Sequence, residues 1–331
     1  MAFKYPARIH LANLPTPIEK LERLSQQWNG PEIYVKRDDL TGMALSGNKI
    51  RKLEFVIADA RNQGADFLIT CGGVQSNHAR ATAVAAARLG MKSYLVLRGQ
   101  EDSDIDGNLL LDFLVGAKVK YITPDDYANR VDEIMKEVAD KLQKEGHHPY
   151  IIPEGASNEL GAIGYIAAIN EISRQLDDIE LEIDYIICAV GSGGTHSGLL
   201  LGQKLYQKKS QIIGFNVCDD EAYFIEKINR ISQQAIQRFG IRVDVNKQDI
   251  QIIDGYVGEG YALNRPDEID FIKQIARDQG LILDPVYTGK AFFGLKDQIS
   301  KGRFAKGEKI LFIHTGGLFG LFPKRKLFFP L

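Results

Sequence analysis

Short apolar runs and longer amphipathic stretches alternate along this chain. Runs rich in β-branched and aliphatic residues at 66–70, 92–97, 118–122 and 149–152 predict strands. Between them, apolar positions recur at helical spacing near 50–63, 77–89, 108–115 and 130–145. The alternation resumes with strands at 183–190, 211–217 and 309–314 and helices near 195–205, 220–239, 267–279 and 288–300. Such alternation predicts α/β layers with mostly parallel sheets flanked by helices. Two breaks interrupt it, at 42–48 and at 154–158, and in the second Ser157 or Asn158 suits the cap of a following helix. The stretch 47–157 is therefore expected to form a small α/β domain. Residues 1–46 and 158–331 then form a larger, discontinuous one.

Composition narrows the function classes. The 331 residues are 44% hydrophobic and 25% charged, so about two domains and a core able to bury a ligand are expected. A formal net charge of −2 gives no bias toward nucleic acid or an acidic membrane. Cys71, Cys188 and Cys218 lie far apart, without metal-ligand spacing, and no metal is expected. Cys188 and Cys218 sit in apolar runs and are expected to be buried thiols of a reducing compartment. No apolar leader core or membrane-length stretch is evident, so the cytoplasm is the expected location. The basic run 324–326 reads as solvated, and the apolar tail 327–331 as docked.

Three glycine-rich turns follow predicted strands, at the strand ends where open α/β sheets bind ligands. In Gly191-Ser192-Gly193-Gly194-Thr195, glycines let backbone N–H groups approach an anion, two hydroxyls add donors, and the next helix offers its N-terminus. This reads as a phosphate cradle. It is not a Walker loop, because no Lys-Ser/Thr pair closes it. It falls one glycine short of a dinucleotide fingerprint, since His196 takes the third glycine position, although Asp219 follows the next strand. The second turn, Gly72 to His78, opens a helix at Ser76 or Asn77 and presents N–H groups to a carboxylate, with His78 behind the site. The third is His314-Thr315-Gly316-Gly317. Tyr261, flanked by Gly260, and Tyr287, in Asp284-Pro285-Val286-Tyr287, are loop tyrosines.

Ser46-Gly47-Asn48-Lys49 places a lysine at the start of a helical pattern. The positive end of a helix dipole disfavours an added proton, so such an amine is more often neutral and nucleophilic. A Schiff base with an aldehyde cofactor needs that state. A solvated lysine at a helix start would look the same in isolation.

Taken together, Leu14-Pro15-Thr16-Pro17, Lys36-Arg37-Asp38-Asp39, Ser46 to Lys49, Gln75 to His78, Asp284 to Tyr287 and His314 to Gly317 resemble a known family over nearly the whole chain. It is the pyridoxal-phosphate enzymes of the tryptophan-synthase-β fold (fold type II), in the group of D-cysteine desulfhydrase and 1-aminocyclopropane-1-carboxylate (ACC) deaminase. The resemblance implies a two-domain architecture of mostly parallel twisted sheets, with pyridoxal 5'-phosphate as cofactor. It implies Lys49 as the Schiff-base lysine, Asn77 on the ring hydroxyl, Gly191 to Thr195 on the phosphate and Thr315 near the ring nitrogen. Ser76 and its neighbours Gln75 and Asn77 would take the substrate carboxylate, and Tyr287 and Tyr261 would line the pocket. Ser76 or Tyr287 is an alternative to Lys49 as the base.

Thr288 and Thr315 stand where similar deaminases carry glutamate and leucine, and the deaminases' pocket tryptophan has no match near 97–100. These departures favour β-elimination of D-cysteine to pyruvate, hydrogen sulfide and ammonia. ACC deamination to 2-oxobutyrate and L-cysteate sulfo-lyase activity are the alternatives. A small amino-acid substrate and a homodimer are likewise implied.

Overall fold

The structure is a computed structural model and describes residues 3–101 and 104–329. Two sheets carry it. β1 (Ile18–Lys20), α1 (Glu22–Trp28) and β2 (Glu32–Lys36) begin the larger one, as an antiparallel pair. The chain then leaves through α2 (Asn48–Asn62) and builds β3 (Phe67–Gly73), α3 (Asn77–Arg88), β4 (Lys92–Arg98), α4 (Gly107–Leu114), β5 (Lys118–Ile122), α5 (Pro124–Lys144) and β6 (Pro149–Ile151). These four strands form an all-parallel sheet of order β5-β4-β3-β6.

After α6 (Glu159–Asp178) the chain returns to the first sheet with β7 (Tyr185–Val190), α7 (Gly194–Leu205), β8 (Gln211–Asn216), α8 (Glu221–Phe239) and β9 (Gln251–Ile253). It finishes with α9 (Pro266–Gln279), α10 (Thr288–Ser300), β10 (Lys309–Ile313) and α11 (Arg325–Phe328). The order is β1-β2-β10-β7-β8-β9, and only the β1–β2 pair is antiparallel.

The near-continuous apolar strands have a physical reason. In β7, Ile186, Cys188 and Val190 join one core cluster while Ile187 and Ala189 join the cluster on the opposite face. Helices cover both faces, so neither parity can be polar. Ile50, Leu53, Val56 and Ile57 of α2 belong to the same cluster as Ile163 and Ile166 of α6. A buried ionic network clamps α2 just past its first turn. Arg51 Nη2 lies 2.7 Å from Asp38 and 2.9 Å from Glu171, Lys36 Nζ lies 2.6 Å from Glu171, and the Tyr165 hydroxyl donates to Asp38 at 2.6 Å. Removing one member of such a network strands a buried charge, at a cost of about 3–5 kcal/mol.

Several elements differ from the sequence expectation. α5 begins at Pro124 rather than 130, because the Thr123 hydroxyl accepts from the Asp126 N–H at 3.1 Å and proline fits the first helical position. β1, α1, β2 and β9 are short, and their runs are too brief to give a period. α6, foreshadowed only by the Asn158 cap, is an apolar helix buried along most of its length, which hides its stripe. Cys218 is half-buried, whereas Cys71 and Cys188 are buried; all three thiols are free. Of the tail expected to dock, Phe328 is buried while Leu327 and Phe329 are exposed. Residues 330–331 lie outside the described residues.

Candidate active site

The C-terminal ends of β3, β7 and β10 open onto one cavity of about 740 Å³ between the two sheets. Lys49, Ser76, Asn77, Gly191, Ser192, Gly193, Thr195, Tyr261, Tyr287 and Thr315 share its wall. The topology thus gathers residues separated by more than two hundred positions.

Lys49 reaches the wall because its turn is pressed against another. Gly47 has φ +102°, and a Cβ there would stand 2.6 Å from the Thr315 carbonyl oxygen. Only glycine permits that approach. The Asn48 N–H donates to the same oxygen at 3.2 Å, and the Asn48 side chain donates to Thr195 Oγ1 at 3.0 Å. The Lys49 surface that stays open faces the cavity, and the surrounding protein desolvates its amine. Burial lowers its pKa to about 8, with the Glu154 carboxylate opposing. A substantial fraction is therefore neutral near physiological pH.

The turn after β7 ends in the N-terminus of α7, capped by Gly193 at φ +85°. Beneath it lies a residue that sequence reasoning missed. Lys52 is fully buried, donates to Ser157 Oγ at 3.1 Å, and Ser157 Oγ is 2.8 Å from Ser192 Oγ. Burial, then Lys49 and Lys227, drive its pKa well below the usual lysine range. No carboxylate among the described residues lies within ion-pair distance of it. The signal was present: Lys49 and Lys52 are three apart, on one helical face.

The turn after β3 is built differently. Ser76 caps α3, its Oγ accepting from the Ala79 N–H at 3.1 Å. A Cβ on Gly72 would meet that Oγ at 2.5 Å. Asn77 Oδ1 accepts from Asn108 Nδ2 at 3.1 Å. His78 also reaches the wall, with Nε2 2.8 Å from Thr70 Oγ1, and burial keeps it neutral.

Three sequence candidates do not line the cavity. Gln75 turns away, donating to the Asp106 carbonyl at 3.0 Å and accepting from the Asn108 N–H at 2.9 Å. Thr288 is fully buried, its hydroxyl donating to Asp284 Oδ1 at 2.7 Å. A direct substrate contact for either is not what the geometry provides; Gln75 braces the Ser76 turn and Thr288 braces the Tyr287 turn. Gly194 contributes as backbone, since a Cβ there would meet Ser157 Oγ at 2.7 Å.

Across the cavity the Tyr261 and Tyr287 hydroxyls are 2.6 Å apart. Burial raises Tyr261 to about 12 and Tyr287 well above the usual phenol range, so the pair holds both protons at neutral pH. Glu154, Tyr127 and Arg98 also line the cavity and were missed, because a turn, the first turns of α5 and the end of β4 carry no motif there. No group of three or more potential metal ligands occurs among the described residues.

Comparison with known proteins gives a consistent picture. A family model described as a pyridoxal-phosphate dependent enzyme matches residues 9–316. A mitochondrial bifunctional D-cysteine desulfhydrase/1-aminocyclopropane-1-carboxylate deaminase of Arabidopsis thaliana is 47% identical over 323 residues, covering 95% of this chain and 79% of that protein. A D-cysteine desulfhydrase of Klebsiella pneumoniae is 40% identical over 320 residues, covering 95% of each. A solved structure described as an ACC deaminase homologue superimposes with a TM-score of 0.89 at 39% identity, over 98% of this chain and 96% of that one.

Proposed function

We propose that this chain, which belongs to the family of pyridoxal-phosphate-dependent enzymes, is a carbon–sulfur lyase acting on D-cysteine. The single observation that carries the reading is the protonated Tyr261–Tyr287 pair, 2.6 Å between hydroxyls, on the same cavity wall as Lys49. A leaving thiolate needs such a proton donor.

The residues fit the cofactor. Lys52 is a buried amine without an acidic partner beside a glycine-rich helix N-terminus, and a phosphate dianion there would favour its ammonium form. The N–H groups of 191–195 would hold the phosphate, Asn77 the ring hydroxyl and Lys49 the aldehyde carbon. When bound, pyridoxal phosphate supplies an electron sink for the carbanion at Cα. Thr315 would offer the ring nitrogen a hydroxyl, with no carboxylate there to hold a proton on it.

The chain's own groups do the rest. Ser76 and the first N–H groups of α3 orient the substrate carboxylate. The Lys49 amine takes the Cα proton, because burial keeps enough of it neutral. The Tyr261–Tyr287 pair delivers a proton to the departing sulfur. The balance is D-cysteine plus water giving pyruvate, hydrogen sulfide and ammonia.

A second reading, ACC deamination to 2-oxobutyrate, is favoured by the names of the Arabidopsis relative and the similar solved structure. We take 47–157 as the small domain and 1–46 with 158–331 as the large one, and assign a cytoplasmic homodimer by analogy.

The test is sulfide release from D-cysteine by the cofactor-loaded protein, with ACC and L-cysteate in parallel. Sulfide from D-cysteine without 2-oxobutyrate supports the reading, and 2-oxobutyrate or sulfite alone overturns it. Lys49→Ala should lower turnover by more than about a thousandfold and abolish borohydride-reducible absorbance. Retained turnover would remove Lys49 from its role.

A further inference from the structure

Arg98 ends β4 on the wall of the cavity. Its guanidinium lies 5.1 Å from the Tyr127 ring centroid and 5.3 Å from that of Tyr261. Among the described residues no carboxylate lies within ion-pair distance of it. Two aromatic faces are therefore what this cation meets, and they come from elements beside different sheets. Tyr127 belongs to α5, beside the smaller sheet. Tyr261 belongs to the loop between β9 and α9, beside the larger one.

Both rings continue into hydroxyl contacts. Tyr127 donates to Glu154 Oε1 at 2.6 Å, and Tyr261 pairs with Tyr287. The Tyr261 loop is otherwise held by the Asn264 side chain, which donates to the Pro285 carbonyl at 2.6 Å, and through its backbone. Lys290 Nζ donates to the Val257 and Gly260 carbonyls at 2.5 and 2.8 Å, and Lys324 donates to the Ala262 carbonyl. Gly258, Gly260 and Ala262 all have positive φ. Those contacts fix the loop, and the ring itself meets Arg98 at its face, the Tyr287 ring edge-on at 6.0 Å between centroids, and the Tyr287 hydroxyl.

We propose that Arg98 is a positioning residue that sets the Tyr261 ring, and through it the Tyr261–Tyr287 proton donor, by bridging aromatic faces from elements beside different sheets. The proposal rests on the lyase reading for what that donor does, but not for its geometry. A partly buried guanidinium–aromatic contact favours one ring orientation, and a second aromatic contact on the same guanidinium reduces the freedom that one would leave. Arg98 also pairs with Gly73 at the start of the Ser76 turn, so the split between kcat and KM decides whether it acts through the donor or on the substrate carboxylate.

The experiment compares wild type, Arg98→Met, Arg98→Lys, Tyr261→Phe and Arg98→Met/Tyr261→Phe, all cofactor-loaded. Arg98→Met is expected to lower kcat about tenfold with KM within about threefold, and Arg98→Lys to restore kcat to within about threefold of wild type. The double variant should be no slower than Tyr261→Phe. Wild-type kcat in Arg98→Met, no recovery with lysine, or losses that multiply in the double variant would overturn the proposal.

Hydrogen exchange on the same proteins supplies a readout independent of turnover. Amides of 256–263 should exchange faster in Arg98→Met while those of β8 do not change, and equal exchange overturns the proposal even if the substrate reading fails. A wild type inactive on all three substrates would count against the lyase reading alone. Should Arg98→Met not fold, Tyr127→Leu removes one face of the bridge. It should turn over more slowly than Tyr127→Phe, and equal rates would overturn the proposal.

Discussion

The turns after β7 and β3 both end strands of parallel sheets, both are glycine-rich, and both open a helix toward the same cavity. Their interiors differ. Behind the β7 turn stands Lys52, buried without an acidic partner and joined through Ser157 to Ser192. Behind the β3 turn the buried cation, Arg80, is satisfied by the Asn108 side chain and the Ala44 and Ser46 carbonyls; Ser76 Oγ is engaged by its own helix and Asn77 by Asn108. One turn is short of negative charge in the ligand-free protein, while the other satisfies its own side chains. The first suits a resident anion, the proposed cofactor phosphate. The second suits an anion that comes and goes, the proposed substrate carboxylate, held by backbone N–H groups at small cost when it leaves.

The strongest way to break this comparison is Lys52→Met. It should weaken pyridoxal-phosphate binding about a hundredfold, measured by equilibrium dialysis, by removing a charged donor from the cradle. The same substitution should raise the melting temperature of the cofactor-free protein. Burial and the neighbouring lysines hold the Lys52 pKa down, so the folded state binds its proton less well than the unfolded state and is penalised below the unfolded lysine pKa. A cofactor-free variant less stable than wild type would refute the view of an uncompensated charge.

Ser76→Ala tests the other turn. It should raise KM about tenfold while the cofactor dissociation constant moves less than about threefold, and should cost about 1 kcal/mol in urea unfolding through the lost cap. A larger effect on cofactor than on substrate would reverse the two assignments.

Glu154→Gln gives the smallest change. The carboxylate favours the Lys49 ammonium, so its removal should move the midpoint for uptake of pyridoxal phosphate by the cofactor-free protein from about 8 to a lower pH. The uptake rate should rise with pH through that midpoint, as the amine loses its proton. An upward move would show that Glu154 does not face Lys49 in solution.

Much of this site was legible because its parts are local. A glycine needed for a positive φ, a serine at a helix cap and a lysine at a helix start each announce themselves within a few residues. Lys49, Ser76 and the cradle were readable in that way, whereas Asn77, Tyr261, Tyr287 and Thr315 were singled out by the resemblance of their motifs. Gln75 and Thr288 were readable as members of motifs, but motif membership does not say which way a side chain turns. Their carbonyl, amide and carboxylate partners, at Asp106, Asn108 and Asp284, decide that. Lys52, Glu154 and Arg98 escaped for the opposite reason: each is an ordinary charged residue in sequence and becomes unusual only by what surrounds it.

The sequence by itself determined the α/β layering, the order of most elements, the three glycine turns and the family, since period, turn chemistry and motif spacing are properties of neighbouring residues. Only the tertiary structure decided that β2 pairs with β10 across most of the chain, that Lys52 lies under the β7 turn, and that two tyrosines share a hydrogen bond with Arg98 against one of them. Burial, desolvation and the approach of distant hydroxyls depend on contacts between remote segments, and no local pattern encodes those contacts.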